Sequence, residues 1–179
     1  MKLYTIGHGN LELEPFLGIL RENEVRWVAD VRSAPYSRMF PWFNKMVLAD
    51  ALEEAGGRYL FIGDKLGGKP PPGKKGENEW VQGKLNPALV SNLSQTRRWK
   101  EGIARLASIV IAMEEEGETG CLLCSEKDPN NCHRSLIAFQ IEGALPELSV
   151  LHLGHDSSVR EAKFQGALFG VSDERSDYH

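Results

Sequence analysis

Short apolar runs alternate with longer segments of helical spacing along most of this chain, and that alternation restricts the fold more than any other feature. Lys2 to Gly7 is an apolar run ending in glycine, followed by a polar loop and a helix pattern from about Glu14 with Phe16, Leu17 and Leu20 on one side. Val25 to Val31 is a β-branched run that begins after the short Asn23-Glu24 connection and ends in Asp30-Val31-Arg32. The spacing of Val47, Leu48, Ala51, Leu52 and Ala55 predicts a helix over 44–55, which Gly56-Gly57 can stop. Arg58 to Ile62 then predicts a third strand. A long amphipathic helix is predicted over about 99–116, from Ile103, Leu106, Ala107, Val110 and Ile111. After it come a buried strand at Cys121 to Cys124, a helix from Arg134 to Gly143 and a last strand from Val150 to Leu153. Such a chain calls for an α/β fold. Its mostly parallel sheet of about five strands carries helices on both faces, a Rossmann-like three-layer sandwich. One domain is expected over residues 1–153, followed by a polar C-terminal tail over 154–179.

At 179 residues the chain can bury a core without staples. Its 41% hydrophobic and 26% charged residues argue against disorder, and no run approaches the ~20 apolar residues of a membrane span. Met1-Lys2-Leu3-Tyr4-Thr5 enters a strand pattern directly, so a cytoplasmic, membrane-free protein is the expectation. Three cysteines, an odd number, then argue for free thiols over a disulfide framework. A net charge of −4 offers nucleic acid or anionic lipid no global attraction, so any anion site has to be local.

In a parallel sheet, ligands bind beyond the carboxyl ends of the strands, where right-handed crossovers bring the loops to one edge. The polar signatures fall at those ends. Strand one leads into Gly7-His8-Gly9-Asn10, strand two into Asp30-Val31-Arg32-Ser33, strand three into Gly63-Asp64-Lys65-Leu66-Gly67-Gly68, and strand four into Cys124-Ser125-Glu126. One composite pocket is expected. Its densest chemistry lies from Gly120 to Ser135, where a strand hands a thiol to a polar loop and the loop hands Cys132, His133 and Arg134 to a helix start. Unpaired N–H groups and the dipole there favour an anion, Arg134 can grip phosphate or carboxylate, and a thiol there has its thiolate favoured. The plainer reading has Asn130 or Asn131 capping the helix, Cys132 packing, and Arg134 paired with Glu126 or Asp128.

Cys121 and Cys124 resemble a C-x-x-C motif, but side chains alternate along a strand, so the two point to opposite faces. Cys121 is then core, while Cys124 is a nucleophile candidate with Cys132 as alternative nucleophile or resolving thiol. A metal, if one binds, would take Cys124, Cys132, His133 and His8, a soft set suited to zinc; the cofactor is otherwise unknown. His8 is a candidate acid or base, or a histidine bonded to its own loop. Asp30 and Arg32 point the same way, either as an ion pair or as a base and an anion clamp. Two stretches form candidate walls. Tyr36 to Lys45 interleaves aromatics with Arg38 and Lys45, a composition that stacks bases, although aromatics also pack down over sheet edges. The Gly67-Gly68 turn adjoins a basic arm of Lys65, Lys69, Lys74 and Lys75 around Pro70-Pro71-Pro72.

Thr5-Ile6-Gly7-His8-Gly9-Asn10, Asp30-Val31-Arg32 with Pro35 and Ser37, Leu66-Gly67-Gly68, and Cys124-Ser125-Glu126 leading to Cys132-His133-Arg134 together resemble the family catalogued as domain of unknown function 488. The resemblance spans Leu3 to about Leu153, with Gly9 standing where the family usually carries serine. It implies a shared site and carries no settled activity. The expectation is an enzyme that binds a phosphate-bearing substrate, a nucleotide or nucleic acid. Cys124, Cys132, His133, His8, Glu126 and Asp30 would be its catalytic groups, and Arg32, Arg134, Gly67, Gly68, Tyr36 and Arg38 its substrate contacts. The alternatives are a non-catalytic nucleic-acid-binding module and a thiol-ligated metal site.

Overall fold

The computed structural model describes residues 1–68 and 92–162, together with the backbone of 80–81 and 84–85. Lys69, Lys74 and Lys75 of the expected basic arm lie outside the described residues. In chain order the elements are β1 (Lys2–Gly7), α1 (Leu13–Glu22), β2 (Val25–Asp30), a 3-10 turn (Pro41–Phe43), α2 (Lys45–Glu54), β3 (Arg58–Phe61) and the single turn α3 (Gly63–Leu66). The small pair β4 (Trp80–Val81) and β5 (Lys84–Leu85) comes next. It is followed by α4 (Arg97–Glu115), β6 (Thr119–Cys124), a 3-10 turn (Pro129–Asn131), α5 (Arg134–Ala144), β7 (Ser149–Leu153) and β8 (Val159–Glu161).

The main sheet has six strands in the order β3-β2-β6-β1-β7-β8, all parallel except β8, which runs antiparallel to β7. The protein is therefore α/β with a mostly parallel sheet. The extra strand comes from the stretch expected to be a tail: a turn at Gly154–Ser158 reverses the chain and pairs His152 with Arg160.

Strand alternation divides the interior into two cores, one on each face of the sheet. Leu3, Trp27, Ala29, Leu122, Cys124 and Val150 point to one face and meet Trp99, Leu106 and Val110 of α4 and Leu136, Ile137 and Ile141 of α5. Tyr4, Ile6, Val28, Cys121 and Leu123 point to the other and meet Phe16, Leu17 and Leu20 of α1 and Leu48 and Leu52 of α2. Cys121 and Cys124 thus serve opposite cores, as alternation requires. Helix α4 is capped by Thr96, which accepts from the Trp99 amide, and Gly56 ends the α2 segment at φ +76°. Among the described residues no helix is long and apolar enough to cross a membrane.

The topology fixes where the site lies. β1 and β6 are neighbours, yet β1 leads to α1 on one face while β6 leads to α5 on the other. Their connections diverge at the carboxyl ends and open a crevice there. Pairing continues past both strands, since the His8 amide donates to Cys124 O (2.9 Å) and the Gly9 amide to Ser125 O (2.8 Å). Gly7 is the tightest point of this edge, because a Cβ on it would lie 1.7 Å from the carbonyl oxygen of Glu126. Gly7→Ala is expected to cost at least the roughly 1–3 kcal/mol of an overpacked site. Gly18→Ala, in α1 with no atom within 4 Å of the new Cβ, is expected to gain roughly 0.5–1 kcal/mol. Urea denaturation of the two variants should shift the midpoint in opposite directions.

Candidate functional site

At the end of β6 the strand pleat carries Cys124 and, two residues on, Glu126 towards the α4–α5 face, where the start of α5 delivers Cys132 and His133. The Cys124 thiol donates to Glu126 Oε2 at 2.9 Å, and Cys132 Sγ lies 3.2 Å from the same oxygen. His133 Nδ1 is 3.8 Å from Cys124 Sγ. One donor atom from each of Cys124, Glu126, Cys132 and His133 lies within 4.8 Å of all the others. The two thiols are 2% and 1% exposed and His133 6%, so Glu126, half-buried, is the side of the cluster that meets solvent.

His133 is held from behind. Its Nε2 lies 3.1 Å from the carbonyl of Val31, and a carbonyl only accepts, so Nε2 carries a proton and Nδ1 faces the sulfurs. The ring packs on Gly68, where a Cβ would come within 2.8 Å of Nδ1, and Trp99 approaches it edge-on. Gly68 is therefore packed against the imidazole, while Gly67 is set against Ser33 and Gly63.

Two thiols and a carboxylate sharing one oxygen cannot all ionise without a counter-charge. Burial pushes the Cys124 thiol up, and the neighbouring Cys132 pushes it further. Burial also opposes ionisation of Cys132, but the Cys124 hydrogen bond, the Arg134 charge and His133 outweigh it and bring that thiol well below its ordinary range. Burial disfavours protonated His133, yet the contact with Cys132 and the charges of Cys132 and Glu126 raise it above 6.5. A divalent cation at the same position would let all three acidic groups ionise together. The donor set, two sulfurs, a nitrogen and an oxygen, is that of a zinc-type site.

The expected anion clamps are engaged elsewhere. Arg134, 1% exposed, donates from Nη1 to the carbonyl of Glu126 and from Nη2 to that of Lys127 (2.9 Å), which pins the loop carrying Glu126. Arg32 grips Asp30 through Nε (2.9 Å) and Nη2 (2.6 Å) and also donates to Phe43 O (2.8 Å). Asp30 is fully buried and accepts a further bond from Tyr59 at 2.7 Å. His8 stacks on Phe43 at 4.2 Å, and its Nδ1 bonds Gly9 O at 3.0 Å, which leaves Nε2 to accept from Arg32 Nη1 at 3.4 Å. The fourth donor facing the sulfurs is thus Glu126, and His8 is held away from them. Neither Asn130 nor Asn131 caps α5; Asp128 instead caps the 3-10 turn and accepts from the Asn130 amide.

Of the aromatic wall, Phe43 is buried, Phe40 and Trp42 pack on the α1–α2 core, and Tyr36 and Arg38 face solvent. Lys65 pairs with Glu101. Sequence reasoning had no signal for Tyr59, for the Val31 carbonyl, or for His155, which donates from Nε2 to Gly7 O at 2.8 Å. Gly9, at φ +52°, adopts a conformation strained for serine, and His155 and Lys127 crowd its position. A groove of about 1040 Å³, lined by Lys127, Asn130, His152, His155, Ser158 and Arg160 among others, lies between the loop that follows Glu126 and the β7–β8 hairpin, and none of the four donors lines it.

Fold and site together define an α/β protein with a buried thiol–carboxylate–imidazole cluster at the carboxyl edge of its sheet. Residues 12–141 match the family model described as domain of unknown function DUF488, and the chain belongs to that family. No curated protein and no solved structure matches it.

Burial first and Arg32 second lower the pKa of His8 to about 4, and burial first and Arg134 second do the same for His152. Between pH 4 and the unfolded value near 6.5, the unfolded chain binds protons that the folded chain refuses, so acidification removes stability. The slope is at most about 1.4 kcal/mol per pH unit for each group, and smaller for half-buried His152. Urea denaturation from pH 7 to 5 should show a shallower loss for His8→Asn than for wild type; equal slopes would refute a neutral, buried His8.

Proposed function

We propose that this protein is a metal-dependent enzyme whose centre is formed by Cys124, Glu126, Cys132 and His133. The observation that carries this reading is the convergence of their four donor atoms within 4.8 Å. Support comes from the layer behind it. A metal-binding histidine usually donates its other ring N–H to a carbonyl or carboxylate, and His133 does so to Val31. Thiols only 1–2% exposed are better placed to hold an ion than to meet a substrate directly, which favours this reading over a thiol nucleophile.

Two features favour catalysis over a structural staple. Complete cores cover both faces of the sheet, so the fold does not need an ion to hold it together. The cluster also lies at the divergence of β1 and β6, with a carboxylate ligand on its solvent side, and carboxylates exchange with water or substrate oxygen more readily than thiolates. A phosphate-bearing substrate, a nucleotide or nucleic acid, fits this reading through a different attraction. With Arg32 and Arg134 engaged inside the protein, a substrate oxygen would be held by direct coordination to the ion and not by net positive charge, and Lewis-acid activation of a phosphoryl or carbonyl oxygen is the chemistry the ion would supply. The groove along Lys127 to Asn130, the loop that follows Glu126, offers room for the rest of such a ligand.

Titration of the metal-free protein with cobalt(II) should give one bound ion per chain and an intense thiolate-to-cobalt charge-transfer absorption. Cys132→Ser and Glu126→Gln should weaken binding, Cys132→Ser by more than the 10–100-fold typical of an outer-shell change, while Cys121→Ser binds as wild type. Cobalt bound without charge transfer, or equal loss in Cys121→Ser, would exclude this centre.

A further inference from the structure

Arg134 is buried at 1% exposure, and its hydrogen bonding is incomplete. Both Nη atoms donate to loop carbonyls, but Nε–H is fully buried and has no acceptor within hydrogen-bonding geometry. A buried N–H left without a partner is rare, because it gives up its bond to water for nothing. The surroundings point to its partner. Arg134 lies against Cys132 and in the field of Cys124 and Glu126, three groups that become negative together when an ion binds.

We propose that Arg134 is a positioning residue of the metal centre, with its Nε–H donating to the sulfur of Cys132 once that sulfur is an ion-bound thiolate. This rests on the metal reading above. A divalent ion with two thiolates and one carboxylate carries a net charge of minus one, an unfavourable quantity in a buried site; one guanidinium against it makes the ensemble neutral. The same side chain acts twice. Through Nη1 and Nη2 it fixes the backbone of Glu126 and Lys127 and so aims the Glu126 carboxylate, and through Nε it withdraws charge from one sulfur. Hydrogen bonds to a coordinating sulfur tune how strongly it donates to the metal, so Arg134 sets the acidity of the centre without touching the ion. A lysine cannot do this, since its ammonium lacks the planar fork that reaches two carbonyls and a sulfur together.

The test uses the wild-type chain, metal-free and then loaded with an NMR-active cadmium isotope. A through-bond coupling is expected between the cadmium nucleus and the Nε–H proton of Arg134, a resonance assigned by its loss in Arg134→Lys. That variant should bind cadmium about 10–100-fold more weakly, and its cobalt form should show the thiolate charge-transfer band at lower energy, because the sulfur then donates more freely. Cadmium bound with a thiolate-type chemical shift but without coupling to Arg134 would overturn the proposal and leave the metal reading intact. Failure to bind cadmium would overturn both. A purely structural Arg134 predicts weaker binding in Arg134→Lys with the band unmoved, and that result would also overturn the proposal.

Discussion

The edge of the sheet depends on the close parallel pairing of β1 with β6 and on its continuation past both strands. Gly7 opposite Cys124, and the amides of His8 and Gly9 bonded to Cys124 and Ser125, bring the first loop of the protein against the loop that bears the thiols. Only glycine at position 7 allows the Glu126 carbonyl to pass so near. Arg134 closes the arrangement by donating to that same carbonyl, so strand, loop and helix start are tied at one point. Everything chemical in the site hangs from this junction.

Charge is the second constraint. The edge buries Asp30 with Arg32, which is a paired and multiply bonded unit, and it buries Cys124, Cys132 and Glu126 against Arg134 and His133, which is not so neatly matched. Isolated buried charges are costly, and paired ones persist when each has its hydrogen bonds. The Asp30 pair satisfies that condition internally and anchors the end of β2. The thiol cluster satisfies it only by sharing protons, or by exchanging those protons for a cation. That difference separates the Asp30 pair from the thiol cluster although both are polar and buried.

Much of the fold was legible because local pattern and tertiary need agree: the β-branched run at Val25 to Asp30 and the stripe Leu106 to Val110 lie in a strand and a helix that cover each other. The opposed cysteines followed from the pleat alone. The sixth strand was hidden because Val159–Glu161 is short, exposed and at the sheet edge, where no burial imprints an alternating pattern. At the site, the candidates were readable from their positions after strands, but their partners were not. Spacing cannot tell whether an arginine faces a ligand or a backbone carbonyl, and Arg32 and Arg134 both took carbonyls. Nor can it tell that the Val31 carbonyl, which leaves no trace in side-chain identity, would orient His133.

The four donors lie within one decapeptide, Cys124 to His133, whereas the residues around them come from three distant parts of the chain: the first loop, the end of β2 and the Gly67–Gly68 turn. Binding unit and surroundings are therefore separable inheritances. Substitutions in the walls can redirect which molecule enters without disturbing the donors, and the donor segment can be kept intact while its setting diverges. In a fold built this way the donors and the walls around them are encoded by different stretches of the chain, so a change in one need not displace the other.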